Sequence, residues 1–107
     1  MAITQAFTNQ GKVDFLGGQT NPSTDTIMIA LYTSAATLDK NTTVYSATNE
    51  VANSGTYAAG GAVLGSPVVA LSGDVAYIDF ADASWTSATI TARGALIYNA
   101  SNSNKSI

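Results

Sequence analysis

The sequence predicts a mainly β protein: a small antiparallel sheet or sandwich with one amphipathic helix at the N-terminus. Three observations predict it. Charged residues make up only 10% of the chain, so Ser, Thr, Asn and Gly must form its polar surface. Thr suits a pleated sheet, and Asn and Gly suit turns. Apolar runs of strand length recur between Gly, Pro and Asn clusters, as "TIMIALYT" and "VAYIDFA" do. The Glu, Lys and Leu density of a helical bundle is missing. At 107 residues and 46% hydrophobic, the chain fits one domain, residues 1–107. A chain of this length buries roughly 65% of its unfolded surface, enough for one core without staples.

Ile3, Ala6, Phe7, Val13 and Leu16 fall at helical steps, which predicts a helix over 3–16 ended by the Gly17–Gly18 pair. Gly11 inside it weakens it by about 1 kcal/mol relative to Ala. "NPSTD" (21–25) is a helix-breaking loop. "TIMIALYT" (26–33) is apolar on both parities and reads as a strand covered on both faces. Residues 34–62 read as a long irregular segment that Val44, Tyr45, Val51 and Tyr57 can anchor. "AVLGSPVVAL" (62–71) is a strand region interrupted by Gly65 and Pro67, and the proline marks an edge or bulge. "SGD" (72–74) is a hairpin turn into "VAYIDFA" (75–81), with Ala76, Ile78 and Phe80 on one side and Val75, Tyr77 and Asp79 on the other. A connection carrying Trp85 leads to the last long strand, "TITARGALIYN" (89–99), which can bend at Gly94. "ASNSNKSI" then forms a turn with no long strand after it. Three readings stay open there: a mobile tail over 100–107, a strand lost, or a strand supplied by another chain. An unpaired edge of strand 89–99 invites such a strand.

The chemistry the residue types allow is narrow. With no His and no Cys, catalytic triads, Cys–His pairs, disulfides and imidazole or thiolate metal sites are all excluded. No phosphate-binding glycine loop is present: "GAVLG" lacks both spacing and lysine. No enzyme activity and no cofactor are expected. Lys plus Arg number 4 against 7 Asp plus Glu, a net charge of −3. Nucleic acid is therefore not an expected partner, and no apolar run is long enough for a membrane span. The start "MAITQAFTNQ" lacks the basic and apolar regions of a secretory signal, which predicts synthesis in the cytoplasm. So little charge also favours association between copies.

Asp79 and Asp82 in "DFAD" match no calcium-loop pattern and read as surface or turn-capping carboxylates. Arg93, the one arginine, reads as a structural residue that needs a carboxylate partner: Asp79, Asp82, Glu50 or a neighbouring chain's. Trp85 and the five tyrosines suit a sugar platform or, given their scatter along the chain, packing and subunit contacts. Leu96, Ile97 and Tyr98 are candidates for core and interface contacts in the last strand.

"MAITQAF", "TIMIALYTSAATLDKNTTVYSATNEV" (26–51), "YAAGG" (57–61), "AYIDFADASWTSATITARGALIYN" (76–99) and "SNK" (103–105) resemble a family of small proteins encoded by tailed bacteriophages and prophages, often among virion structural genes. "DFADASW" and "TARGALIYN" are the most specific of these stretches. The resemblance spans nearly the whole chain. It departs at "TNQGKVDFLGG", where relatives are more helix-favouring, and after "SNK", where relatives carry a further apolar strand. It implies a virion structural protein, a capsid decoration (cement) or tail component located in the virion and made in the host cytoplasm. The partners implied are copies of itself, with three-fold symmetry where it decorates a capsid, and other virion proteins. A fibre or pilus-like subunit that assembles by strand donation, and a carbohydrate-binding module on a phage appendage, are the alternatives.

Overall fold

The computed structural model describes residues 3, 6–81 and 83–107. It is mainly β, with one helix, α1 (Asn9–Leu16), and six strands: β1 (Ile27–Tyr32), β2 (Ala62–Val63), β3 (Val68–Ser72), β4 (Val75–Asp79), β5 (Gly94–Asn99) and β6 (Lys105–Ser106). Four strands form one antiparallel sheet in the order β2–β1–β5–β6, and β3 and β4 form a separate two-stranded sheet.

β1 and β5 are the centre of the larger sheet, paired over their full length from Ile27–Asn99 to Tyr32–Gly94. Every residue of β1 is at least half-covered, as a strand apolar on both parities requires. Ala30, Tyr32, Ala36, Leu38, Leu96 and Tyr98 make the core, with Ile3, Met28, Tyr45 and Ala100 packed around it. The last strand is shorter than the 89–99 expected, because the ladder begins only at Gly94. A Cβ at Gly94 would lie 2.8 Å from Cγ2 of Ile3, so the missing side chain lets the N-terminal segment cross the strand there.

The helix departs further from expectation. It starts at Asn9, not residue 3, because Thr8 caps it: the Thr8 hydroxyl accepts the Gly11 amide at 2.9 Å. Ile3 instead forms a parallel bridge with Leu38. Its buried residues are Gly11 and Asp14, while Val13 is 64% and Leu16 91% exposed. The expected apolar face therefore points to solvent. Gly11 explains the inversion: a Cβ there would sit 2.9 Å from the Cα of Ile107. The glycine that weakens the helix is where the C-terminus docks. Gly18, at φ +74°, supplies the left-handed stop that the glycine pair implied.

The region 62–71 divides. Ala62 and Val63 join β1, and the chain then leaves that sheet through Gly65 and Pro67 before β3 begins. Gly61 makes the first join: its φ is +82°, and any Cβ would overlap the carbonyl of Ile29. β3 and β4 form the expected hairpin across Gly73–Asp74, with Gly73 at φ +61°. Segment 34–61 carries no regular strand or helix, only isolated bridges, as anticipated. Of its four proposed anchors, Val51 and Tyr57 are buried and Tyr45 is half-buried, but Val44 is exposed. Val44 serves through its backbone instead, bridging Lys105.

The C-terminal segment is neither a mobile tail nor short of its return strand. Residues 100–104 turn through Ser103 (φ +51°) and Asn104 (φ +59°), and β6 comes back on β5, pairing Ser106 with Tyr98 and Lys105 with Asn99. The Ile107 amide then donates to the Ile97 carbonyl at 2.9 Å. Ser106 is only 1% exposed, with its hydroxyl 2.9 Å from that of Thr8 and donating to the Thr42 carbonyl at 2.6 Å. Two residues suffice as a strand because loop 42–45 covers their far side: the Thr43 carbonyl accepts from Ser106, and the Tyr45 amide donates to Asn104. Two outcomes follow. The amides of Ser106 and Ile107 exchange slowly in the isolated protein by hydrogen–deuterium exchange. Ser106→Ala lowers stability by about 1–3 kcal/mol in urea denaturation, since it removes the hydroxyl that bonds the Thr42 carbonyl and the buried Thr8 side chain.

Candidate interaction surface

Residues scattered in sequence converge on Glu50. Its carboxylate accepts from the hydroxyls of Tyr45 at 2.5 Å and Tyr57 at 2.6 Å, and from the Gly60 amide at 2.8 Å. The Tyr57 oxygen also accepts the Leu31 amide at 2.9 Å, which ties the group to β1. Tyr98 donates to the Gly60 carbonyl at 2.6 Å, and Tyr32 to the Ser46 carbonyl at 2.7 Å. Tyr45 and Tyr98 stack with centroids 4.7 Å apart, and Trp85 leans on Tyr57 at 5.3 Å. Linear scatter had concealed a cluster of four of the five tyrosines with the tryptophan.

Burial pushes the Tyr32 phenol up to about 12, against the smaller opposing effect of its bond to Ser46. Burial also raises Tyr45 and Tyr57, and their bonds to the Glu50 carboxylate raise them further. Tyr98 is raised by burial, then by the charge of Glu50. All four phenols are therefore donors at neutral pH. A carboxylate already holding three donors, ringed by protonated phenols, is built to hold the chain together.

A second polar knot closes the other end of the sheet. The fully buried Asn99 donates from Nδ2 to Asp25 at 2.8 Å and to Thr20 at 3.2 Å. The Asn21 amide, donating to Asp25 at 2.9 Å, and then Asn99 hold that carboxyl below its ordinary value. Asp14 is buried with the Gln10 amide on both of its oxygens. Among the described residues, no three acidic side chains group to hold a metal ion, and no helix is long and apolar enough to cross a membrane.

The surface feature that stands out is the β3–β4 hairpin. Every residue of β4 is exposed, and in β3 only Ala70 is half-covered. Leu71 is 69% and Val75 65% exposed, and Val68, Val69, Tyr77 and Ile78 are each above two-fifths. The register puts Val69, Leu71, Ala76 and Ile78 on one face, which is wholly apolar, and Val68, Ala70, Val75 and Tyr77 on the other, together with Ser72 and Asp79. The first face looks across an open groove of about 610 Å³ toward Phe7, Phe15 and Pro22. The hairpin's sequence signal was the run of apolar residues on both parities in "VVALSGDVAYID".

The remaining sequence candidates fall elsewhere. Leu96 and Tyr98 are buried in the core and Ile97 is half-buried. Asp79 ends β4, exposed, and its Oδ1 accepts the Phe80 amide at 2.9 Å. Arg93 is exposed just before β5, where its amide donates to the Tyr32 carbonyl at 2.7 Å. Among the described residues its guanidinium has no carboxylate partner, Glu50 being held by the tyrosines; Asp82 lies outside the described residues. Comparison with known proteins returns no matching family model, no matching curated protein and no matching solved structure.

Two outcomes test the Glu50 cluster. Glu50→Ala lowers stability by about 2–4 kcal/mol in urea denaturation, since three donors lose a charged acceptor together. The pH dependence follows from the raised phenols. Above the ordinary tyrosine value of 10.0 the unfolded chain releases these protons and the folded chain retains them, so the stabilisation is complete below pH 10.0 and falls as pH rises toward the folded values. Phenolate absorbance of the four tyrosines should stay low past pH 10.0 and then rise together with loss of the fold.

Proposed function

We propose that the protein is a structural component of a bacteriophage virion, a capsid decoration or tail protein that acts through repeated subunit contacts. The observation that carries this reading is the hairpin: an ordered, apolar, nearly charge-free projection beside a core that is complete without it. Monomeric proteins seldom leave such a surface open unless a partner covers it. The resemblance of "DFADASW" and "TARGALIYN" to phage proteins supplies the setting, and the charge-poor surface suits dense packing of copies. Its partners in this reading are copies of itself and other virion proteins, and its place is the virion.

The fibre-subunit reading has one observation in its favour: among the described residues no strand pairs with the outer edge of β4. Its original motive, an absent return strand, is replaced by β6. A sugar-binding platform has less support, since Trp85 packs on Tyr57 and is half-covered. Mass spectrometry of gradient-purified particles, from a host carrying the gene within its phage, tests the proposal. Many copies per particle are expected, and particles free of the protein would overturn it.

A further inference from the structure

The hairpin leaves a row of backbone groups unused, and their geometry selects a partner. Two strands alone are marginal in water and gain stability from a further strand. Ser72 and Val75 face each other across the two-residue turn Gly73–Asp74. Residues closing such a turn exchange both backbone hydrogen bonds. Alternation then directs the N–H and C=O of Val75, Tyr77 and Asp79 at β3, and those of Ala76 and Ile78 away from it. On the outer edge of β3 the same alternation brings round Pro67, which has no N–H to offer. The edge of β4 has no such guard: no proline, no lysine and no bulge.

We propose that β4 of one molecule pairs antiparallel with β4 of a second copy, about a two-fold axis at Tyr77. The inference deepens the assembly reading above, on which its biological use rests, by naming the first partner. The register follows from the edge. Centred on Tyr77, Ala76 lies opposite the copy's Ile78, and the two outward residues of each strand satisfy one another reciprocally. Centred on Ala76, Ile78 would fall opposite the turn residue Asp74. Centred on Ile78, Ala76 would fall opposite Phe80, whose amide already donates to Asp79. The chosen register also sets Asp79 opposite the copy's Val75, so no two carboxylates face each other. The apolar face of Val69, Leu71, Ala76 and Ile78 continues across the new four-stranded sheet.

Pairing edge to edge joins the strands side by side and covers little of either face, well under the roughly 1,000 Å² of a specific interface, which makes the single contact weak and reversible. A two-fold contact differs from the three-fold symmetry expected for a capsid decoration, and would link neighbouring positions.

Cysteine cross-linking tests partner and register together, and the chain has no native cysteine to interfere. Tyr77 would meet its own copy at a non-hydrogen-bonded position, with Cα atoms about 4.5 Å apart, inside the range a disulfide spans. Under mild oxidation, Tyr77→Cys is expected to form a disulfide dimer at least roughly tenfold faster than Asp79→Cys, whose register partner is Val75. Mixing Asp79→Cys with Val75→Cys should restore rapid linking. Sedimentation velocity should show reversible dimers of the parent protein and only monomers of Tyr77→Lys, which opposes like charges at the axis. Equal linking rates for Tyr77→Cys and Asp79→Cys, or a parent protein monomeric at every concentration, would overturn the contact. A monomer still found in virions would overturn it while leaving the assembly role intact; a β4-linked dimer absent from virions would do the reverse.

Discussion

The carboxylate of Glu50 is the point on which the irregular half of the chain depends. Residues 34–61 have no ladder of their own, and ordering them costs about 1–2 kcal/mol of backbone entropy per residue. What holds them is a few strong bonds made at once. Glu50 takes the phenols of Tyr45 and Tyr57 and the amide of Gly60, which come from three places along that segment. Tyr57 hands the constraint to β1 through the Leu31 amide, and Tyr98 of β5 fixes Gly60 by its carbonyl. The segment is thereby fastened to the two central strands of the sheet. Gly60 and Gly61 lead directly into β2, so the same hub fixes where the chain re-enters the sheet before departing for the hairpin.

The two sheets treat their edges differently. On the larger sheet, β6 is only two residues long, yet the edge it makes is closed by loop 42–45, by the Thr8 hydroxyl and by the docking of Gly11 on Ile107. The buried hydroxyls of Thr8 and Ser106 are bonded to each other there, as buried groups require. Among the described residues, nothing similar closes the outer side of β4. One molecule that covers a two-residue strand from three directions and leaves a five-residue apolar strand bare is not merely poorly finished. The difference is the one expected if the hairpin gains stability in the proposed assembly while the larger sheet is stable alone.

Much of the β framework was legible because it rests on local patterns. "TIMIALYT" is apolar on both parities and lies at the sheet centre; "SGD" sits where a turn must; Pro67 marks where the chain leaves one sheet for the other. The failures share a cause: each depends on what a segment meets far away in sequence. The helical spacing of Val13 and Leu16 suggested a buried stripe, but the docking face was chosen by Gly11, whose lack of a side chain admits Ile107. The C-terminal turn lacked a long strand after it, and two residues proved enough once Thr8 and Thr43 were brought beside them. Glu50 was one of several carboxylates the sequence offered to Arg93, whereas Tyr45 and Tyr57 hold it. The tyrosine cluster had only one sequence signal, an unusual number of tyrosines in a charge-poor chain.

The exposed hairpin also bears on why the protein has so little charge. Asp74 and Asp79 are the hairpin's only ionisable acids, one in the turn and one at the strand end, and both lie off the middle of the β4 edge. A lysine in the middle would keep copies apart, which is the usual protection of an exposed strand. Omitting it leaves a contact too small to hold two molecules firmly in dilute solution. On a regular lattice the balance changes, because each subunit is already held near its neighbours, and a contact formed at high effective concentration adds affinity out of proportion to its area. In the proposed assembly a weak, reversible edge is an advantage: subunits would remain separate while they are synthesised and join only where a surface gathers them. The net charge of −3 is small enough not to oppose that gathering, and the two end carboxylates discourage registers that would place them face to face.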